Sequence, residues 1–381
     1  MGYLIIGRKV IAWIILGIFF AALNSCSGRQ EEVVRKEDAI IGVKIYDYEK
    51  SCQDLFTEWL SLGINTALVS VSLLSDDEFR DLAAKSGIRL FVIVPVFYDL
   101  EELQKNPDLY AITDKGERAV EEWVHFVCPT REDYKKRKIE HIKRLIREYN
   151  PDGISLDFIR NFVYWEKIYP DRDLNSIVQT CFDASCLGKF QKKTRIKIPG
   201  GLSSIPETAT WILNNHLEDW TQWKCRVITD TVKEIAEEIK NTDPGVLVNI
   251  HTVPWRERDF GGAIKIVAGQ DLAAIHEFAD FYSPMCYSHM LKREPPWIHS
   301  VVQDVHEKTN GQVIPSIQVS KAYLEKEFTA EKFRDALVEA LKYPSAGVIF
   351  WSWEALDKNR EKKKAIREVK DKLPFWGGNE K

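Results

Sequence analysis

The chain has no surplus of positive charge: 53 Lys and Arg stand against 57 Asp and Glu. A mildly acidic surface repels phosphate, so nucleic acid is not an expected partner. No Gly-rich dinucleotide fingerprint follows the first strand-like segment, and no Gly-x-Ser-x-Gly elbow occurs. These two absences count against a nucleotide-binding open sheet and against a Ser-His-Asp hydrolase. Cysteine is scarce, with seven residues and no pair at CxxC spacing. His251 and His289 likewise lack the paired carboxylate or cysteine of a zinc site, so neither a metal nor another cofactor is expected. No low-complexity stretch or short repeat interrupts the chain.

The N-terminus is set apart from the rest. Arg8 and Lys9 precede an unbroken apolar run of 14 residues, 10–23. That is short for a membrane span but the length of a signal-peptide core. The run ends in Leu23-Asn24-Ser25-Cys26, which looks like a bacterial lipobox. Residues 1–25 then read as a leader and Cys26 as the lipidated first residue; an ordinary cleaved signal or a short anchor helix is the alternative. Residues 26–38 are polar and charged, as suits a solvated tether. The expected address is the bacterial cell envelope, held to the membrane through a lipid anchor. Loss of Arg8 and Lys9 with the leader leaves 51 basic residues against 57 acidic ones. Six cysteines remain (Cys52, Cys128, Cys181, Cys186, Cys225, Cys286), scattered through apolar segments. They read mostly as free, buried thiols, with Cys181 and Cys186 the one pair worth testing as a disulfide.

Residues 39–375 read as strand and helix in turn. Apolar runs rich in β-branched residues occur at 40–46, 66–72, 90–96, 153–158, 246–250, 281–285, 313–319 and 347–351. Segments of helical periodicity lie between most of them, at 54–62, 76–86, 131–149, 220–241, 296–310 and 330–342. Continuous apolar strands alternating with amphipathic helices imply a parallel sheet covered by helices. Eight such units predict an α/β fold, a closed (β/α)8 TIM barrel. Long insertions are expected after strands 3 and 4, and the second is dense in aromatics (Phe162, Tyr164, Trp165, Tyr169, Trp211). The chain holds 12 Trp, 13 Tyr and 18 Phe. Flat apolar sugar faces stack on such rings, so oligo- or polysaccharide is the expected partner class, although most of these rings must serve the core.

Catalytic side chains of a barrel sit at the C-terminal ends of its strands. The fourth strand offers Asp157, with Arg160 three residues on. A carboxylate beside a guanidinium stays ionised, which suits a nucleophile or a stabiliser of a developing cation. Other strand ends supply candidates for substrate binding: Tyr46 and Asp47 after the first, His251 and Trp255 after the fifth, Tyr287 and His289 after the sixth, Gln318 and Ser320 after the seventh, Trp351 and Trp353 after the eighth. Glu354 follows the last two, where a nearby indole would raise a carboxyl pKa, as a general acid requires.

The segment Asp152-Gly153-Ile154-Ser155-Leu156-Asp157-Phe158-Ile159-Arg160 resembles the signature of bacterial glycosyl-hydrolase-like barrel families, many of them lipoproteins. His125-Phe126-Val127-Cys128-Pro129 resembles their Cys-Pro segment, and Cys181 to Cys186 with Phe190 is similar to a cysteine segment found after this strand in some of them. Phe281 to Tyr287 resembles the Met-x-Tyr strand of chitinase-type barrels, and Gly347 to Glu354 their closing Trp strand. The matches span residues 40–357 and imply glycoside hydrolysis. The departures are informative. A chitinase-type motif reads Asp-Gly-x-Asp-x-Asp-x-Glu, but here Ser155 replaces the middle Asp and Ile159 the acidic Glu. The implied hydrolase therefore pairs Asp157 with a carboxylate from elsewhere: Glu354 is favoured, with Asp47 and Glu166 as alternatives. Two rival readings stand beside it. One is a catalytically inactive, surface glycan-binding barrel; the other, weaker, is a metal-dependent deacetylase or amidase.

Overall fold

The computed structural model describes residues 39–372. The leader, the lipidation residue Cys26, the tether up to residue 38 and residues 373–375 of the expected domain lie outside the described residues. Eight parallel strands close into a barrel: β1 Ile40–Ile45, β2 Thr66–Val69, β3 Arg89–Pro95, β4 Gly153–Asp157, β5 Leu247–Thr252, β6 Phe281–Cys286, β7 Ser316–Gln318 and β8 Gly347–Trp351. Each pairs with the next in sequence, and β8 pairs with β1 to shut the ring. Helices cover the outside, including Cys52–Leu62, Asp77–Ser86, Glu132–Tyr149, Leu217–Thr242, Pro296–Thr309 and Ala330–Ala340. The expected (β/α)8 barrel is the observed fold. No helix among the described residues is long and apolar enough to cross a membrane.

Strand alternation sorts the side chains into two environments. In β4, Ile154 and Leu156 face the helices and join the main core, while Gly153, Ser155 and Asp157 point into the barrel. In β1, Val43 and Ile45 pack outward while Lys44 points in. The interior is layered. Its floor is an apolar cluster of Ile40, Leu68, Phe91, Ile93, Phe281, Ile314 and Ile349. The Phe91 and Phe281 rings meet 6.1 Å apart, from strands three positions away in the ring, which places this cluster inside. A polar layer of Lys44, Ser155, Asn249, His251 and Ser283 lies above it, followed by the mouth.

Gly153 is fixed by this layering, because a Cβ there would sit 2.3 Å from the Phe91 ring. Gly153→Ala is expected to cost about 1–3 kcal/mol through forced repacking of the floor; a denaturant midpoint equal to the parent's would contradict this. Asp152, just before β4, accepts the Leu90 N–H at 2.7 Å and so ties β3 to β4 at the closed end.

Two boundaries differ from expectation. The second strand stops at Val69 because Ser70 caps a short helix, Val71–Leu74, with its hydroxyl accepting the Leu73 N–H. The seventh is split: Gln312–Val313 pairs with β6 at Phe281 and Tyr282, and the ladder resumes at Ser316 after Pro315, which brings no N–H to it. The insertion after β3 holds the helix Leu100–Lys105 and a small hairpin pairing Val120–Glu121 with Val124–His125. The insertion after β4 holds a 3-10 turn at Trp165–Lys167 and the helices Ala184–Thr194 and Ile205–Asn215.

Candidate active site

Asp157 is the last residue of β4 and points into the barrel mouth. Phe158 follows with φ +50°, a conformation rare for an aromatic residue, and its N–H donates to Asp157 Oδ1 at 2.7 Å. Burial alone would raise the Asp157 pKa. His251, Lys44, the Phe158 N–H and Arg160 together outweigh it and hold the carboxyl below its usual range. His251 itself is pushed down to about 3, by burial first and the Lys44 ammonium second, so it is neutral at physiological pH. A neutral imidazole has no charge to offer, so Lys44 and Arg160 supply the field that keeps Asp157 ionised.

Lys44 is a site residue the sequence reading passed over. It is fully enclosed, and burial lowers its pKa to about 8 despite the nearby Asp157. Its Nζ lies 3.4 Å from both His251 Nδ1 and the Tyr287 hydroxyl. If Lys44 donates to Nδ1, the imidazole proton sits on Nε2, which faces Ser155 Oγ at 2.8 Å. Asn249 donates to the same Ser155 oxygen at 2.7 Å and accepts from Ser283 at 2.8 Å. Ser155 stands in this network where a chitinase-type barrel has Asp, and its hydroxyl oxygen meets both His251 and Asn249. Lys44→Met removes the charge but keeps the length. The acid limb of any Asp157-dependent pH–rate profile is then expected to move up by on the order of one unit. An unmoved limb would exclude Lys44 as the source of the field.

A second carboxyl faces this centre. Glu166 lies in the 3-10 turn after β4 and is 7 % exposed, with Oε2 buried and without a hydrogen-bond partner. Burial raises its pKa to about 7; Arg160 opposes the shift, and the charge of Asp157 adds to it. Tyr287 completes the centre. Its ring stacks on Trp351 at 4.3 Å and leans on Trp165 at 5.8 Å. Burial holds its hydroxyl protonated; Ser316 opposes this, while Tyr46, Asp157 and Glu166 reinforce it.

Several expected site residues have other places. Glu354 sits at the start of the helix Trp353–Asp357, and its Oε1 accepts the Tyr46 and Asp47 N–H groups at 2.6 and 3.0 Å. This carboxylate ties the end of β1 to the last helix. Asp47 is exposed and caps its own turn through the Tyr48 N–H. Tyr46 projects over the mouth with 44 % of its surface exposed. Arg160, expected beside Asp157, is 2 % exposed and makes no direct ion pair with it. Its guanidinium lies over the Phe126 and Phe158 rings and donates to the carbonyls of Asn161 and Val163, bracing the loop that carries Glu166. His251 is enclosed within the polar layer and acts on Ser155 and Lys44. Trp255 is buried against Phe260, and Trp353 against Trp59, so neither ring has a face for sugar. His289 meets the Lys326 carbonyl, and Gln318 braces the rim by accepting from Met290 N–H and donating to the Ser320 carbonyl.

Beside Tyr46, open rings come from residues that sequence reasoning did not single out. Trp123, on the β3 insertion, is 42 % exposed and donates its indole N–H to the Tyr323 hydroxyl at 2.7 Å. Its ring stands edge-on to Tyr98, Phe158 and Tyr164. Tyr98 stacks on Phe158, next to Asp157, so the aromatic wall runs from the carboxylate to the rim.

No family model matches this chain, and no curated protein matches its sequence. Solved structures do resemble it. The PgaB (BpsB) glycoside hydrolase domain from Bordetella bronchiseptica superposes with a TM-score of 0.64 at 14 % identity, covering 87 % of this chain and 98 % of that one. Gan42B, a GH42 β-galactosidase from G. stearothermophilus, gives 0.64 at 11 % identity over 90 % of this chain and 58 % of its own. The β-galactosidase of the psychrophilic Marinomonas ef1 gives 0.62 at 13 % identity, covering 87 % of this chain and 59 % of that one. The chain thus spans under two thirds of the galactosidases it resembles, and at these identities the likeness is one of fold. That shared fold is a TIM barrel.

Proposed function

We propose that the protein is a glycoside hydrolase acting through Asp157 and Glu166. The observation that carries this reading is a pair of carboxyl groups held in opposite states at one barrel mouth. Asp157 is kept ionised, while Glu166, raised to about 7, keeps its proton near neutrality. Two carboxyls pushed apart by their surroundings are what acid-assisted glycosidic cleavage needs. Glu166 protonates the departing oxygen; Asp157 attacks the anomeric carbon or steadies the cation that develops there. Glu354, with one oxygen held by two backbone N–H groups, is a positioning residue in this reading. The glycoside-hydrolase fold of the structural neighbours supports the assignment.

The test is the pH dependence of kcat/KM on aryl glycosides and soluble polysaccharides. Glu166 must be protonated to donate, so activity falls as pH rises through about 7. Asp157 must be ionised, so activity also falls as pH drops through its depressed pKa. A rate that stays flat from pH 5 to 9 would exclude the pair.

The aromatic wall adds a binding expectation. Trp123→Ala is expected to raise KM by about three- to tenfold, the loss of one stacking contact, with kcat little changed. An equal fall in kcat would place Trp123 in the chemistry instead.

The proposed address is the cell envelope. Its support is the basic pair Arg8 and Lys9, the apolar run 10–23 and Cys26 directly after it. Cells fed an alkyne fatty acid should label the parent protein and not Cys26→Ala; equal labelling of the two would remove Cys26 as the anchor.

A further inference from the structure

Sequence spacing gave no reason to expect a metal, but the fold brings together three cysteines that are far apart in the chain. Cys128 closes the insertion after β3. Cys181, Asp183 and Cys186 lie in the insertion after β4, where Asp183 caps the helix Ala184–Thr194. One ligand atom from each of the four lies within 4.8 Å of all the others. Cys128 Sγ is 3.2 Å from Cys186 Sγ, and Cys181 Sγ is 3.3 Å from Asp183 Oδ2. We propose that Cys128, Cys181, Asp183 and Cys186 bind one divalent, thiolate-preferring ion of zinc type, which pins the two insertions together.

Three observations support the proposal independently of spacing. The first is burial. All three cysteines are buried and carry no disulfide, and Asp183 is only 8 % exposed. A carboxylate enclosed with three thiols gains little from them, whereas a cation at their centre satisfies all four. The second is geometry. Two sulfurs bound tetrahedrally at about 2.3 Å stand about 3.8 Å apart, so these groups need only small adjustments to close around an ion.

The third is the surrounding shell. Arg131 pairs with Asp183 Oδ2 at 3.0 Å, and the Cys186 N–H holds Oδ1 at 2.7 Å, which fixes the carboxylate. The Ile112 N–H donates to Cys181 Sγ at 3.2 Å, and the Thr130 hydroxyl touches both Cys128 and Cys186. Lys189 reaches the Thr130 carbonyl. N–H donors on sulfur and cations beside the carboxylate stabilise a ligand set that is anionic once loaded. Loading displaces three thiol protons to solvent. Three thiolates and one carboxylate around a doubly charged ion leave two negative charges in excess, and Arg131 with Lys189 faces that excess. A Cys128–Cys186 disulfide is the competing outcome, and it would consume two of the four ligands.

The site has consequences for the mouth because the β3 insertion carries Trp123 and the β4 insertion carries Glu166. The experiment uses the full-length protein, purified without chelator. Metal analysis should find about one zinc per chain, released by a mercurial reagent. Cobalt(II) exchanged into the wild type should show thiolate-to-cobalt charge-transfer absorption. Cys128→Ser should lose most of the metal. Asp183→Asn, the milder change, should keep the fold and bind about 10- to 100-fold more weakly. The wild-type cobalt spectrum decides the matter even if Cys128→Ser does not fold. Peptide mapping that finds Cys128 disulfide-linked to Cys186 would overturn the proposal. So would a wild type that holds no zinc and gives no charge-transfer band after incubation with cobalt.

Discussion

Asp157→Asn is expected to lower kcat by about a thousandfold or more while the barrel stays folded. The surroundings maintain this carboxylate's negative charge against burial. Removing that charge forfeits stabilisation of the anomeric centre, and a preorganised charge of this kind is worth about 10²–10³ or more in rate. The fold should survive for a specific reason. Asn keeps the shape and can still accept the Phe158 N–H. The group left exposed to risk is Lys44, which loses its opposite charge. With a pKa already lowered to about 8, it can shed its proton near neutral pH at a cost of about 1.4 kcal/mol per unit of difference. Circular dichroism and the denaturant midpoint should therefore change little, and the rate greatly. A variant that unfolds, or one that keeps more than a tenth of the parent rate, would contradict the role given to Asp157.

Glu166→Gln is expected to separate substrates by leaving group. A general acid contributes about 10²–10⁴ in rate when the departing oxygen is a poor leaving group. A sugar hydroxyl needs that proton; a nitrophenolate departs without it. The variant should thus lose about a hundredfold or more on oligosaccharides and far less on nitrophenyl glycosides. Its pH profile should also lose the alkaline limb near 7, because the group that titrates there is gone. Arg160, beneath the loop and next in charge to Glu166, should keep its position, since its hydrogen bonds go to backbone carbonyls. Equal losses on both substrate classes, with the alkaline limb intact, would assign the proton to another group.

The parts of this account that the sequence made legible are those set by periodicity. Alternation in 153–158 placed Asp157 opposite Ile154 and Leu156 because one side of a barrel strand meets helices and the other the interior. Eight such runs then led to a closed barrel. What periodicity does not encode is depth. Trp255 and Trp353 follow strand ends as sugar-stacking rings would, yet Phe260 and Trp59 cover them. His251 has the residue type and register of a ligand-binding group, but at the level of the polar layer its ring nitrogens meet Ser155 and Lys44. Glu354 follows two indoles as expected, and the turn after β1 aims two N–H groups at it, which no spacing along the chain records.

Two signals were present and were passed over. Lys44 is a charge in the middle of an apolar strand; its pairing in charge with Asp157 across the barrel appears only once the ring closes. Cys181 and Cys186 looked like a pair because they are neighbours in sequence. Cys128 reaches them only because the β3 and β4 insertions fold against one another. Glu166 was among the three carboxylates considered as partner. The folded loop encloses its carboxyl within the field of Arg160 and Asp157, which no spacing along the chain records.

The central claim is that a glycosidic bond is cleaved by water at Asp157 and Glu166. The most direct measurement is digestion of a polysaccharide panel in ¹⁸O-enriched water by the wild type, Asp157→Asn and Glu166→Gln, with the products read by mass spectrometry. The account predicts one ¹⁸O at the anomeric carbon of each new reducing end with the wild type, and no such products above background with Asp157→Asn. A wild type that binds one of these glycans, releases nothing, and binds equally well as Asp157→Asn would contradict it and leave a glycan-binding barrel in its place.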